Sequence, residues 1–343
     1  MSFNINNRRY TGSKYKIVPW IRQLIIDNCK DSKSFCDLFA GTGVVTNGLI
    51  NDFDEFIIND FLYSNEIIYN AFFLKENFSE ELLFKYYKKY KNLLVDNLKE
   101  NYVSKNYGNR FFSIEDAIKI GYIREEIESD KDKFNKREYS ILLSSLIYSF
   151  DRIANTVGHY DAFIKNKTIR SSFQFELINP VIESSSDYRE IAIMREDANI
   201  LASKINSDIV YIDPPYSSRQ YSRFYHVIEN IVKWDKPKLY GVAVKPEPEN
   251  MSKYSSSKAI DSFRELISDL NSKYIVVSYN NTYNSKSKSS QNKMSLEDIS
   301  TILNRKGLTK IYTTEHQAFN AGKTEFKDHK EFLFITRVGA FNE

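Results

Sequence analysis

The residues of this chain best suited to chemistry are those of the motif Asp213-Pro214-Pro215-Tyr216. The motif follows the apolar run Ile209-Val210-Tyr211-Ile212, which predicts a buried strand. Two consecutive prolines restrict the backbone and remove two N–H donors. The motif therefore presents acceptors and a phenol ring at the end of a strand, which is where open α/β sheets bind their ligands.

This arrangement suits the binding of an exocyclic amine. The Asp213 carboxylate can accept one N–H of the amine, and the Pro214 carbonyl can accept the other. Tyr216 offers a face on which a planar base could stack. Two such hydrogen bonds direct the nitrogen lone pair at an electrophile, which is catalysis by positioning and electrostatics. A chance Pro-Pro turn after a strand is the alternative.

A glycine-rich turn follows another predicted strand near the start of the chain. The segment 34–39 predicts this strand and 44–50 predicts a helix, while Gly41 and Gly43 allow a tight turn between them. Strand, glycine turn and helix open nucleotide-binding α/β folds. The third glycine of the dinucleotide pattern G-x-G-x-x-G is missing, which argues against NAD. Asp37, just before the turn, suits an amine or a sulfonium better than a phosphate.

Two more acidic residues stand where predicted strands end. Asp60 follows the predicted strand 55–59 about twenty residues after the glycines, where such folds place an acid that binds ribose hydroxyls. A helix N-cap is the alternative for Asp60. Asp197 follows the predicted strand 190–193, and we expect it to accept a hydrogen bond from an adenine amino group.

A helical segment interrupts the α/β pattern. Between residues 62 and 187 apolar side chains recur at helical spacing and glycine is scarce. We therefore predict a helical insertion over 62–187 in a catalytic domain formed by 1–61 and 188–343. Insertions of this size often carry partner specificity, and the polar and aromatic segment 155–161 is a candidate reading loop. A purely structural helical lobe is the alternative.

The residues that follow the Pro-Pro motif are candidates for DNA contact. They combine side chains that bind phosphates, purine edges and stacked bases: Arg219, Gln220, Tyr221 and Arg223. Structural ion pairs of the two arginines are the alternative. Basic residues are in excess after the motif, and the Ser- and Lys-rich segment 285–290 suits a phosphate backbone.

Composition sets broader limits. The chain has 343 residues, 27% of them charged, and a net charge of +3, which is ordinary for a globular protein and does not identify a nucleic-acid binder. Cys29 and Cys36 are too few for a disulfide framework, so we expect a reducing, cytoplasmic location. No apolar run approaches the length of a membrane span, so we expect no membrane association.

In their order along the chain, these residues resemble the D12 class of DNA adenine-N6 methyltransferases, the Dam-like family. The resemblance rests on Tyr10-Thr11-Gly12-Ser13-Lys14, then 37–43, Asp60 and 213–216. The continuation 217–221 resembles adenine methyltransferases of restriction–modification systems. The resemblance implies an α/β fold with a Rossmann-like sheet of seven mostly parallel strands, the last antiparallel. It also implies S-adenosylmethionine as cofactor, with these candidate binding residues: Tyr10, Lys14, Asp37, Phe39, Gly41, Gly43, Asp60, Asp197 and Asp213.

The activity implied by the resemblance is methyl transfer to N6 of an adenine flipped out of a specific double-stranded DNA sequence. No metal is implied, and a cognate restriction endonuclease is a possible partner. Cytosine-N4 methylation stays open, because the same four residues, Asp213 to Tyr216, could present a cytosine amine. An RNA or protein amide is less favoured, since Asp rather than Asn leads the motif. A non-catalytic DNA-binding regulator with the same fold is the remaining alternative.

Overall fold

The fold is described from a computed structural model of the chain. The structure describes residues 2–281, 291–315 and 330–341. The Ser- and Lys-rich segment 285–290, predicted to suit a phosphate backbone, lies outside the described residues.

The strands of the described residues form a single mixed sheet. They are β1 (Ser34–Asp37), β2 (Glu55–Asn59), β3 (Glu190–Met194), β4 (Ile209–Ile212), β5 (Tyr274–Asn280), β6 (Gly307–Glu315) and β7 (Lys330–Val338). Their order across the sheet is β3-β2-β1-β4-β5-β7-β6. All pairs from β3 to β5 are parallel, and β7 runs antiparallel to both β5 and β6. The predicted Rossmann-like sheet with an antiparallel last strand is confirmed.

Helices make up most of the remaining regular structure. Those of the described residues are α1 (Val18–Asn28), α2 (Val44–Leu49), α3 (Tyr63–Phe73), α4 (Glu80–Lys91), α5 (Tyr102–Tyr107), α6 (Ile114–Ser129), α7 (Lys136–Ile153), α8 (Ala198–Ala202), α9 (Tyr221–Phe224), α10 (His226–Lys233), α11 (Ala259–Asp269) and α12 (Leu296–Asn304). Strands β4 and β5 are buried at every position, as expected for parallel strands covered on both faces. No helix among the described residues is both long enough and apolar enough to cross a bilayer.

The first helix begins slightly later than the sequence indicates. Apolar spacing predicts a helix over 16–26, whereas a 3-10 turn at Tyr15–Ile17 precedes α1. Pro19 lies in the first turn of α1, where a residue without an N–H costs nothing. The helix then buries the same apolar face, with Ile21 and Ile25 fully inside.

The chain divides into two compact units. Unit 1 comprises Met1–Thr11, Leu62–Asp187 and Ser222–Glu249, and unit 2 comprises Gly12–Phe61, Tyr188–Tyr221 and Asn250–Glu343. Unit 2 contains the whole sheet, with α1, α2, α8, α11 and α12. Unit 1 contains α3 to α7 and α10, so residues 62–187 share it with two further segments of the chain.

A buried carboxylate in unit 1 anchors a segment that has no regular structure. Asp116 lies in the first turn of α6 and is 1% exposed. It accepts hydrogen bonds from the Ser171 hydroxyl at 2.8 Å and from the N–H groups of Ser172 and Phe173, each at 3.0 Å. The bond from Phe173, a buried residue, satisfies a backbone donor that burial would otherwise leave unpaired.

Replacing Asp116 with asparagine is expected to lower the free energy of unfolding by about 1–3 kcal/mol. The reason is that the amide nitrogen of asparagine cannot accept the hydrogen bonds that the carboxylate accepts in the parent. Urea unfolding followed by circular dichroism measures this change. The matched control is Asp132→Asn, at an exposed position of the same unit, which should stay within about 0.5 kcal/mol of the parent. Equal unfolding midpoints for the two variants would show that the anchor has no energetic role.

Candidate active site

Four acidic residues stand at the carboxyl ends of adjacent parallel strands in unit 2. Asp37 is the last residue of β1, Asp60 follows β2 directly, and Asp213 follows β4 directly. Asp197 lies three residues beyond the end of β3. The strand order reverses between β1 and β4, and such a reversal opens a crevice for ligands in this class of sheet.

The glycine turn after β1 has the backbone geometry that the sequence predicts. Gly41 and Gly43 have φ values of 54° and 74°, in the left-handed region that favours glycine. The carboxylate of Asp60 accepts the N–H of Gly41 at 2.9 Å, so Asp60 fixes the shape of the turn. The N-cap residue of α3 is Leu62, so Asp60 does not have the capping role considered as its alternative.

A buried asparagine missed by sequence reasoning holds the strand ends together. Asn59, 1% exposed, donates to the carbonyls of Leu38 at 3.0 Å and Glu196 at 3.1 Å. Its side-chain oxygen accepts the N–H of Glu196 at 3.0 Å. One amide thus ties the residues that follow β1 and β3 to the end of β2. The sequence signal that could have identified Asn59 is a polar amide at the last position of an apolar strand.

Asp37 is buried with one oxygen left unsatisfied. It is 1% exposed, and its Oδ2 accepts the Thr46 hydroxyl at 2.8 Å. Its Oδ1 has no hydrogen-bond partner among the described residues. The pKa of Asp37 is raised to about 7, chiefly by burial and in part by the nearby Asp213, while the hydrogen bond from the Thr46 hydroxyl opposes the rise. An unpaired buried carboxylate oxygen is costly, so this position fits an ammonium or sulfonium ligand.

Phe39 and Asp197 are linked through a tyrosine that sequence reasoning also missed. The ring of Phe39 packs edge-on against Tyr254, with centroids 5.1 Å apart. The Tyr254 hydroxyl donates to the side chain of Asn199 at 2.9 Å. Asp197 accepts the N–H of Asn199 at 2.9 Å and so acts as the N-cap of α8. The described contacts of Asp197 therefore order the loop after β3.

The Pro-Pro motif lies within a buried network of charges. Lys14 is 2% exposed, and its ammonium lies 3.2 Å from Asp213 and 3.4 Å from Glu331. Lys14 also donates to the Tyr216 hydroxyl, which itself donates to Asp213. The Tyr216 ring packs edge-on against Tyr279, with centroids 4.9 Å apart. The Tyr216 hydroxyl is thus part of this network, a role that the sequence did not indicate.

Burial governs the ionisation of this network. It raises the pKa of Asp213 to about 6, although the Lys14 ammonium and the Tyr216 hydroxyl oppose the rise. Burial also raises the pKa of Tyr216 well above its usual value, so the phenol keeps its proton. For Lys14, burial alone would lower the pKa, but Asp213 and Glu331 together raise it, so the ammonium stays charged.

The prolines of the motif leave a carbonyl available. Pro214 is buried and Pro215 is half-buried. Within the part of the chain that the structure describes, the Pro214 carbonyl accepts no hydrogen bond. It can therefore act as the second acceptor for an amine bound at Asp213.

The candidate DNA-contact residues divide between the two units. Arg219, Gln220 and Tyr221 belong to unit 2, and Arg223 belongs to unit 1. The Gln220 amide donates to the carbonyl of Ser252 at 2.9 Å and accepts its N–H at 2.8 Å. A DNA ligand would therefore have to join or replace these internal contacts of Gln220.

Two of the candidates lie in unit 1. Arg223 donates to the carbonyl of Pro246 at 2.5 Å. Tyr10, a candidate cofactor contact, stacks on Tyr225 with centroids 4.7 Å apart and planes 6° apart. The other candidates for cofactor binding all belong to unit 2: Lys14, Asp37, Phe39, Gly41, Gly43, Asp60, Asp197 and Asp213.

Taken together, the sheet with its antiparallel last strand, the glycine turn after β1 and the motif after β4 define a Rossmann-like methyltransferase. The sequence pattern of the D12 class N6 adenine-specific DNA methyltransferases matches residues 10–290. The chain belongs to this family, and the resemblance stated from the motifs is confirmed.

A known modification methylase and two known type II methyltransferases match nearly the whole chain. The modification methylase StsI of Streptococcus sanguinis is 34% identical over 98% of this chain and 52% of its own length. The type II methyltransferase M.NlaIII of Neisseria lactamica is 30% identical over 95% of this chain and 98% of its own. M.CviAII, from Paramecium bursaria Chlorella virus 1, is 31% identical over 97% and 99%. The chain spans about half the length of StsI and nearly all of the other two.

Proposed function

We propose that this protein transfers a methyl group from S-adenosylmethionine to N6 of an adenine within a specific double-stranded DNA sequence, as the modification enzyme of a restriction–modification system. The observation that carries the proposal is the pairing of β1 with β4, in which Asp37 is aligned with Tyr211. This register brings the glycine turn and the Asp213 motif out at the same edge of the sheet. The family, the relative named a modification methylase and the relative named a type II methyltransferase support the proposal.

The cofactor site proposed here lies mainly along the ends of β1, β2 and β3. Asp60 would accept from the ribose hydroxyls, and the glycine turn that it fixes would allow close approach of the backbone. The unsatisfied Oδ1 of Asp37 would meet a positive or amino group. Phe39 and Asp197 would border the adenine, with Tyr10 and Lys14 completing the site. When bound, the cofactor supplies a methyl group on a sulfonium, and the neutral thioether that remains after transfer is a good leaving group.

The target amine is proposed to bind at Asp213 and Pro214. The adenine must leave the base stack, because pairing and stacking hide its N6. The carboxylate of Asp213 and the carbonyl of Pro214 would each accept one N–H, and Tyr216 would support the ring. Because both acceptors stand on a stiff proline turn, the amine is held in one orientation before transfer. The proton leaves the nitrogen after the methyl group has arrived.

DNA contact is proposed for Arg219, Gln220, Tyr221 and Arg223. We further propose that residues 62–187 select the target sequence, with 155–161 as the reading loop. In the structure the Tyr160 N–H donates to the Phe224 carbonyl at 2.7 Å, which joins this loop to the start of 222–249 within unit 1. A cognate restriction endonuclease would cleave DNA that lacks the modification.

We propose a cytoplasmic location for this activity. Both cysteines, Cys29 and Cys36, are free and buried, which suits a reducing compartment.

The direct test supplies the protein with DNA and cofactor labelled in the methyl group. The label is expected to appear in the DNA. Mass spectrometry of the nucleosides is then expected to identify the product as N6-methyladenine. N4-methylcytosine would instead assign the activity to the cytosine amine. Binding of DNA without any transfer of label would support a non-catalytic regulator and refute the proposal. Sequencing of DNA from cells that express the chain then gives the target site.

The rate of methyl transfer is expected to fall as the pH drops through about 6. The pKa of Asp213 is raised to about 6, chiefly by burial, and protonation removes the acceptor that holds the amine. An ordinary aspartate would keep its charge down to about pH 4. The measurement is kcat/KM against pH from roughly 5 to 9, with circular dichroism as the control for folding. A flat profile down to about pH 5 would contradict the assigned role.

A further inference from the structure

We propose that Tyr225 is a positioning residue for the cofactor: it holds Tyr10, the candidate cofactor contact of unit 1, in the orientation that binds S-adenosylmethionine. This inference rests on the proposed function, because it assumes that Tyr10 contacts the cofactor. No sequence motif indicated this role for Tyr225, which lies 214 positions after Thr11.

Tyr225 contacts both the side chain of Tyr10 and the backbone beside it. The two tyrosine rings stack with centroids 4.7 Å apart and planes 6° apart. The Tyr225 hydroxyl accepts the N–H of Thr11 at 2.7 Å. The stack restricts rotation of the Tyr10 side chain, and the hydrogen bond fixes the peptide group that follows it. One residue thereby limits both motions that would turn Tyr10 away from a ligand.

Tyr10 depends on such contacts because its own segment has no regular structure. It lies between the 3-10 turns Ile5–Asn7 and Tyr15–Ile17, outside any helix or strand. Tyr10 is half-buried, so it is partly open to a ligand. A side chain that is already held in place loses less conformational entropy when a ligand binds, and the affinity for that ligand is higher for this reason.

Tyr225 itself belongs to a firmly packed part of unit 1. It is 0% exposed and is the N-cap residue of α10, where its carbonyl accepts the N–H of Glu229 at 2.9 Å. Helix α10 is buried at every position from His226 to Val232. The pKa of Tyr225 is raised to about 12, chiefly by burial, so the hydroxyl keeps its proton. A fully buried residue at the start of a buried helix is a fixed support for its half-buried partner.

The residues just before Tyr10 are held as well. Arg8 is 5% exposed, and its guanidinium carbon lies 5.1 Å from the centroid of the Tyr10 ring and 5.6 Å from that of Tyr225. The N–H of Arg9 donates to Asp151 at 3.1 Å. Contacts on both sides of Tyr10 therefore fix its backbone, and the stack with Tyr225 selects the orientation of its ring.

The test measures cofactor affinity in a double-mutant cycle. Calorimetry gives the Kd of S-adenosylmethionine for the parent, Tyr10→Leu, Tyr225→Leu and the double variant. Tyr225→Leu removes the stack and the hydroxyl, and we expect the Kd to rise about three- to tenfold. Because Tyr225 acts through Tyr10, the same substitution in the Tyr10→Leu background should raise the Kd by less than about twofold. Additive effects on the free energy of binding would overturn the inference.

Two further variants distinguish positioning from general packing. Tyr225→Phe keeps the stack and loses only the acceptor for Thr11, so the Kd should rise by about two- to threefold. Tyr90→Leu, at another almost fully buried tyrosine of unit 1, is the matched control. It should lower the unfolding temperature, as Tyr225→Leu does, and leave the Kd unchanged. Should Tyr225→Leu fail to fold, Tyr225→Phe decides, and a Kd equal to that of the parent would then overturn the inference.

The outcomes separate this inference from the function on which it rests. A parent protein that binds no S-adenosylmethionine would refute the proposed function, and the inference with it. A folded Tyr225→Leu protein with the Kd of the parent would refute the positioning role and leave the proposed function intact. A Tyr10→Leu protein with the Kd of the parent would do the same, since Tyr10 would then not contact the cofactor.

Discussion

Replacement of Asp213 by alanine is expected to lower kcat for methyl transfer by about a thousandfold or more, while the Kd of the cofactor changes by less than about tenfold. Asp213 provides the charged acceptor that orients the target amine, and Pro214 alone cannot fix that orientation. The cofactor contacts assigned to Asp37, Asp60 and the glycine turn remain in the variant. Single-turnover transfer of labelled methyl to DNA measures the rate, and calorimetry measures cofactor binding.

Two further variants make the result at Asp213 specific. Asp213→Asn keeps the shape but removes the charge, so it should lose most of the rate as well. Asp269→Ala, at an exposed position in the same unit, should retain the parent rate. A variant at Asp213 that transfers methyl groups at the parent rate would exclude the amine-binding role. A loss of cofactor affinity as large as the loss of rate would instead place this residue chiefly in the cofactor site.

Asp37→Asn is expected to have opposite effects on cofactor affinity and on the stability of the free protein. The cofactor Kd should rise about 10- to 100-fold, because a charged acceptor at the unsatisfied Oδ1 is lost. The free protein should become more stable, since a buried carboxyl with an unpaired oxygen is replaced by a neutral amide. The amide oxygen can still accept from Thr46, which donates to the carboxylate in the parent at 2.8 Å.

The pH dependence of the Asp37→Asn effect follows from the raised pKa. Burial raises the pKa of Asp37 from 3.8 to about 7, so the folded protein holds a proton there that the unfolded chain releases. Stability contributed by this group is therefore present below about pH 4 and is lost as the pH rises to about 7. The Asp37→Asn protein has no carboxyl to ionise at this position, so it does not lose this stability as the pH rises. Its free energy of unfolding should therefore exceed that of the parent most above about pH 7, by roughly 1–3 kcal/mol.

Urea unfolding of the free protein at about pH 5 and 8 measures this difference. Asp54→Asn, at an exposed position beside β2, is the matched control and should show no such pH dependence. An Asp37→Asn protein less stable than its parent at the higher pH would mean that the carboxylate is compensated in the fold. Unchanged cofactor affinity would remove Asp37 from the binding site.

The parts of the site that sequence reasoning found are those that depend on neighbours in the chain. The run 209–212 is apolar at every position, and the structure makes it a fully buried strand that ends at Asp213. The two glycines predicted to form a tight turn have the positive φ values that such a turn requires. Strand ends and glycine turns are governed by a few adjacent residues, which is why the pattern was readable.

The residues that contact the predicted site residues could not be predicted from the sequence in the same way. Asn59 looked like an ordinary strand end, although its amide joins three loops. Tyr254 was one of many tyrosines, and only packing against Phe39 distinguishes it. Asp60 was expected to reach a ribose, and the structure adds a bond to the N–H of Gly41 that no periodicity could indicate.

By itself, the sequence determined the fold class, the family and the order of the motifs, because apolar periodicity and the backbone restrictions of glycine and proline act over a few residues. Only the tertiary structure decided that Lys14, Asp213 and Glu331 form one buried network, since the sheet brings together residues 317 positions apart. Strand order and register are set by the packing of the whole core, and a charge paired across that distance leaves no local pattern.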